Sequence, residues 1–289
     1  MSTSHHNDLE LLLVDNNIFP EGFRYPDSYP APELINLDTI LDELSVGRCG
    51  QRWYEEKKFR MLQHTNHSLS RSTIMRRVIP ILKGSVDDID LEPDTMNDGG
   101  TELDNLNPLV EGVEVVLQPD YFDGVPFTAI DRKIRDALGG IIIPSKHIAA
   151  PIAPNFFLEV RKPSGNAVTT KMEACYYGAC GARLMHAIQN YGQNRRPKYD
   201  EKAYSFSSTY INGLLKIYAH FIVEQDHELG ELPGYHMFEL KAFNMTNTYD
   251  DFINGCCAFR NVRELAAQFR NDFITDANAR SRVQCEAAN

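Results

Sequence analysis

A mixed α/β (α+β) domain from about Pro108 onward is the fold class the sequence predicts, and three observations predict it. The run Phe156 to Val160 is apolar enough for an interior strand, and a helical pattern follows it from Ala167 to Asn190. Asn212-Gly213 stands between two β-type runs, Tyr204 to Tyr210 and Leu214 to Val223, which is the signature of a tight hairpin. A last strand pattern, Tyr235 to Phe243, leads into Thr248 and Asp251, spaced as a helix-capping pair, and into a helix predicted to reach Asn278.

The elements before that domain are weaker. Residues 1–34 mix Pro, Tyr, Asp and Ser without a sustained period and read as an irregular arm. Leu37, Ile40, Leu41 and Leu44 repeat at helical spacing up to Gly47, and further helices are expected over Trp53 to Gln63 and Ser70 to Lys83. Residues 1–84 are thus an arm with a helical extension. The stretch 85–107 is acidic, has few apolar anchors and is expected to be mobile. The main domain then spans 108–289. Within it, strands are expected at Val113 to Leu117 and Ile141 to Ile143, with a helix over Ile130 to Leu138 that Gly139-Gly140 would stop.

A net charge of -11 argues against a nonspecific polyanion binder, but the charge is segregated. Between Gly84 and Asp123 there are twelve acidic residues and no Lys or Arg. Between Asp131 and Lys202, twelve Lys/Arg stand against six Asp/Glu, a surplus through which this segment, 131–202, could meet nucleic acid. The acidic tract reads as a solvated connector or as a charge mimic that shields this basic segment. The six cysteines form no CxxC pair and are expected to be reduced thiols. The apolar run Leu9 to Val14 is too short for a signal-peptide core or a membrane span, so an intracellular protein without a membrane partner is expected.

The stretch PNFFLEVRKPSG, Pro154 to Gly165, raises the question of chemistry. Alternate strand residues share a face, so Glu159 and Arg161 project together while Val160 points oppositely. A carboxylate and a guanidinium at the end of an apolar strand suit a metal and phosphate site at a sheet edge, or a plain ion pair.

Gln118-Pro119-Asp120, then Phe157-Leu158-Glu159-Val160-Arg161, then a helix with Glu173, resemble the PD-(D/E)XK nuclease superfamily. The ordered blocks QPDYFDG, DRKIRDALGGIIIPS, IAPNFFLEVRKP, ACYYGACGARLMHAIQNYGQ and YHMFELKAFNMTNTYDDFINGCCAFRN further resemble a fungal domain of uncharacterised activity placed in that superfamily. The resemblance implies a restriction-endonuclease-like mixed sheet flanked by helices. It implies Asp120 and Glu159 as metal ligands, the carbonyl of Val160 as a third oxygen, and Arg161 and Glu173 as site residues. Mg²⁺ or Mn²⁺ would be the cofactor and a phosphodiester the substrate.

One position departs from the family pattern. Arg161 stands where the family has Lys, and Lys162 faces the other way. Arginine stabilises phosphate charge but stays protonated, so it cannot act as a neutral amine. Asp120 and Glu159 are also far apart in sequence (159 - 120 = 39 positions), which requires the Ile130 to Leu138 helix to be an insertion between adjacent strands. Asp123 competes with Asp120 for the ligand role. Two functions are consistent with these residues: a metal-dependent nuclease, or an inactive nuclease-like scaffold that binds nucleic acid or protein.

Overall fold

The computed structural model describes residues 4–26, 31–47, 52–66, 70–84, 96–98, 100–110, 118–224 and 232–286. Among these, seven strands form one mixed sheet: β1 (Ile18–Phe19), β2 (Met96–Asp98), β3 (Tyr121–Val125), β4 (Ile152–Arg161), β5 (Ser205–Ile211), β6 (Leu214–Val223) and β7 (Gly234–Asn244). Their order across the sheet is β1-β7-β6-β5-β4-β3-β2. The helices are α1 (Ser4–Asp15), α2 (Leu37–Leu44), α3 (Arg52–Asn66), α4 (Arg71–Arg77), α5 (Ile79–Lys83), α6 (Arg132–Ile142), α7 (Ala167–Asn190) and α8 (Tyr249–Glu286).

Strand β4 organises the molecule because both of its faces are covered. It pairs antiparallel with β3 and parallel with β5, and every residue from Ile152 to Val160 is buried. Phe156, Leu158 and Val160 enter the core built with α2 to α5 and α8, whereas Phe157 packs with α7. Each such fully buried side chain contributes on the order of 1.5–3 kcal/mol. By the period of two, Glu159 and Arg161 fall on the α7 face.

A parallel β4–β5 pair needs a crossover, and α7 is that crossover. Its start is capped by Asn166, whose side-chain oxygen accepts from the backbone N–H groups of Val168 (2.9 Å) and Thr169 (3.1 Å). Its small residues allow close approach to the sheet: a Cβ at Gly178 would lie 2.2 Å from the His220 ring. The β5–β6 hairpin turns at Asn212 (φ 51°) and Gly213 (φ 79°), both left-handed, as the Asn-Gly pair predicts. Thr248 Oγ1 accepts the Asp251 N–H at 3.0 Å and opens α8, which continues past the expected Asn278 to Glu286.

Several expectations are corrected. The arm 1–34 contains α1, held because Leu13, with Leu9 and Leu12 beside it, packs into the α7-side core, and β1, which pairs parallel with β7. Helices α2 to α5 do not extend from the domain; Ile40, Leu62, Ile74 and Leu82 share one core with Phe156 and Phe206. The helix expected over Ser70 to Lys83 is broken at Val78, before Pro80, into α4 and α5. Gly139-Gly140 does not end α6. A Cβ at Gly140 would stand 2.5 Å from Asn107 Oδ1, so the glycine serves a close approach, and Ile141 and Ile142 are helical rather than β.

The strand expected at Val113 to Leu117 lies outside the described residues, as do residues 85–95 and 99 of the acidic tract. The rest of that tract is tied down rather than free. Met96 to Asp98 pair with β3, Leu103 is buried, and Asn105 Nδ2 donates to the Ile143 carbonyl at 2.9 Å. Asp104 accepts the Lys146 backbone N–H at 3.0 Å, so part of the tract does rest on the basic segment. Among the described residues no helix is long and apolar enough to cross a membrane.

Candidate functional site

Antiparallel pairing sets Tyr121 opposite Leu158, so Asp120, one residue before β3, comes to the end of β4 beside Glu159. Helix α6 is the insertion that makes the 39-residue separation compatible with neighbouring strands. Asp120 Oδ2 accepts the Val160 N–H at 2.7 Å, which fixes the carboxylate against the strand end.

The groups gathered here are held by one guanidinium. Arg161 Nη1 donates to Glu159 Oε2 (2.6 Å), to the Val160 carbonyl (3.1 Å) and to Asp120 Oδ2 (3.3 Å). Its Nη2 donates to Glu173 Oε2, presented from the second turn of α7. Asp120, Glu159, Val160, Arg161 and Glu173 are therefore one cluster. The loop that returns the chain from β4 to α7 is tight over it: a Cβ at Gly165 would sit 2.6 Å from Arg161 Cβ.

A residue that the sequence reading missed completes the cluster. Arg71, the first residue of α4, donates from Nη2 to Asp120 Oδ1. Nothing in its local sequence marks it, because the contact spans 49 positions and a helix-opening arginine ordinarily reads as solvated surface. Lys162, by contrast, is exposed, as its strand parity predicts.

Burial decides the electrostatics. Glu159 is 1% exposed, and desolvation pushes its carboxyl up to about 7 against the opposing pull of Arg161. Burial likewise raises Glu173, again opposed by Arg161. Glu159 Oε1 is buried without a hydrogen-bond partner, an unsatisfied acceptor in a cluster with two further carboxylates and two guanidinium groups.

Asp123, the competitor for the ligand role, is on the other face. Its carboxylate takes a two-point contact from the buried Arg263 of α8, Nε to Oδ2 at 2.7 Å and Nη2 to Oδ1 at 3.1 Å, and accepts the Tyr121 hydroxyl at 2.5 Å. It is a core ion pair rather than part of the cluster. Cys175 and Cys180 are buried and burial pushes both thiols up, so they act as small apolar contacts. His186 stacks on Tyr199 at 4.5 Å between ring centres. His64 is exposed, and His67 lies outside the described residues.

The donor set can be tested against a divalent ion. Two carboxylate oxygens and a main-chain carbonyl aimed at one point are hard donors of the kind Mg²⁺ and Mn²⁺ take, and Glu159 Oε1 is a further buried acceptor without a hydrogen-bond partner. The point itself is held by Arg161 Nη1, and among the described residues no group of three or more His, Cys, Asp or Glu side chains is arranged to hold a metal ion. The chemistry of the set therefore fits, with the guanidinium in competition for it. No protein-family model, curated protein or solved structure matches this chain.

Proposed function

We propose that this chain is a metal-dependent phosphodiester hydrolase with a restriction-endonuclease-like fold, a nuclease whose site is a variant Asp…Glu-x-Arg arrangement. The observation that supports it is the convergence of Asp120 Oδ2, Glu159 Oε2 and the Val160 carbonyl on one position across 39 residues of sequence. Those three groups would hold Mg²⁺ or Mn²⁺, which when bound polarises phosphoryl oxygen and water. Arg161 Nη1 must leave the three oxygens for that to happen. Released, it carries a permanent positive charge toward the phosphoryl group and stabilises charge there, but it takes up no proton. Glu173 holds the other edge of the guanidinium and so sets where that charge stands. The basic segment 131–202 supplies further phosphate contacts.

The occupied convergence point also favours a second reading, a scaffold in which Arg161 has replaced the metal and only binding remains. One experiment separates the two. Wild type, Arg161→Lys, Arg161→Ala and Glu159→Ala are incubated with plasmid, single-stranded DNA and structured RNA, with Mn²⁺ and with chelator. The hydrolase reading expects Mn²⁺-dependent cleavage that Arg161→Ala lowers by roughly 10²-fold or more, that Arg161→Lys retains or raises, and that Glu159→Ala removes. Cleavage surviving in Glu159→Ala sinks it. A wild type that binds nucleic acid and cuts nothing gives the scaffold reading.

A further inference from the structure

We propose that Arg71 and Arg161 form a two-guanidinium clamp for one backbone phosphate of a nucleic-acid strand, so that helix α4 of the N-terminal segment is part of the binding site. This rests on the phosphodiester reading above and adds a residue and an element to it. Arg71 and Arg161 come from parts of the chain 161 - 71 = 90 positions apart, yet both end on the carboxylate of Asp120, one on each oxygen. Two permanent cations are thereby held within the width of a single carboxylate, a planar two-oxygen acceptor whose geometry a phosphate shares.

The exposures give the clamp its direction. Asp120 is 4% exposed, Arg161 25% and Arg71 49%, so the pair leads from a buried acid to an open rim. Helix α4 carries Arg71, Arg76 and Arg77 and no acidic residue, and all three arginines are exposed. When the buried oxygens are given to a divalent ion, both guanidinium groups lose acceptors at the same rim. A phosphate oxygen pair placed there restores them with charge-assisted hydrogen bonds. Arg71 touches no group placed among the metal ligands except Asp120, so its part in the clamp is to bind the phosphate.

The test measures binding without turnover. A fluorescein-labelled single-stranded DNA of about 12 nucleotides, within the site sizes of single-strand binders, is titrated in Ca²⁺, a hard cation that takes the same oxygen donors, against wild type, Arg71→Ala, Arg71→Lys and Arg76→Ala over a series of salt concentrations. Arg71→Ala is expected to weaken binding about tenfold and to reduce the slope of log affinity against log salt by about one phosphate contact. Arg71→Lys is expected to keep the slope while losing part of the affinity, since charge is retained and the fork is not; a merely structural role would move the melting temperature instead. Unchanged affinity and slope in Arg71→Ala, an equal loss in Arg76→Ala, or no binding by wild type overturns the clamp. The hydrolase reading fails separately: a wild type that cuts nothing while Arg71→Ala still lowers the salt slope leaves the clamp standing alone.

Discussion

Asp123→Ala is expected to destabilise the protein by about 3–5 kcal/mol, the cost typical of removing one partner from a buried ion pair. Asp123 and Arg263 are each 1% exposed. Nearby, Arg270 is fully buried, donates from Nη1 to the Asp123 carbonyl at 3.4 Å and to Asn155, and leaves Nε and Nη2 without partners. Lys83 Nζ lies 4.2 Å from the centre of the Tyr121 ring, and burial, with repulsion from Arg263, lowers it to about 8. One carboxylate thus stands among three cationic side chains. Its removal leaves Arg263 charged in a place where water cannot reach it. Asp120→Ala provides the contrast, because Arg71 and Arg161 keep a route to solvent. Chemical denaturation of the two variants measures the difference. A loss for Asp123→Ala no larger than for Asp120→Ala, or below about 1 kcal/mol, would remove Asp123 from the core role assigned to it.

The contrast between these two aspartates also shows where sequence reading ends. Asp120 and Asp123 lie three positions apart in sequence, and their separate roles come from strand parity: Asp120 falls on the side of Phe122 and α7, Asp123 on the side of Tyr121 and α8. Features carried by short-range chemistry were legible. The cap at Thr248, the left-handed pair Asn212-Gly213 and the apolar run of β4 each set an element through neighbours within a few residues. Glu159 and Arg161 were placed on one face by the same local geometry.

What was not legible depends on distant partners. Helix α1 has no strong period and exists because α7 offers Leu13 a surface. The glycines of α6 look like a stop signal until Asn107 is seen against Gly140. Arg71, Arg263 and Arg270 are the clearest cases. In sequence each is an ordinary helical arginine, expected on a solvated face. In the structure each answers a group at least 49 positions away, and only the assembled sheet says which.

Glu159→Gln is expected to be more stable than wild type at alkaline pH, by an amount that grows from pH 4.5 to above 7. The folded carboxyl is raised from 4.5 to about 7 by desolvation, opposed by Arg161 and, more weakly, by Arg71, and aided by Glu173. A raised acid binds its proton more tightly when folded, so its stabilising contribution is complete below 4.5 and is lost as pH rises through about 7. At about 1.36 kcal/mol per pKa unit, the wild type loses about 3 kcal/mol relative to the glutamine variant across that window, in chelator. Denaturation midpoints of both proteins between pH 4.5 and 8 measure it, and a stability difference that is flat in pH would show that Glu159 is not held against its ionisation. The same pair of proteins then tests the metal site without any assay of cleavage. A cation that binds the folded wild type stabilises it by about 1.4 kcal/mol for each tenfold by which its concentration exceeds its dissociation constant. Mn²⁺ should therefore restore wild type at pH 8 and leave Glu159→Gln nearly unmoved. Equal responses would mean that the charge kept at Glu159 serves Arg161 alone, and the site would then be an ion-pair cluster rather than a metal centre.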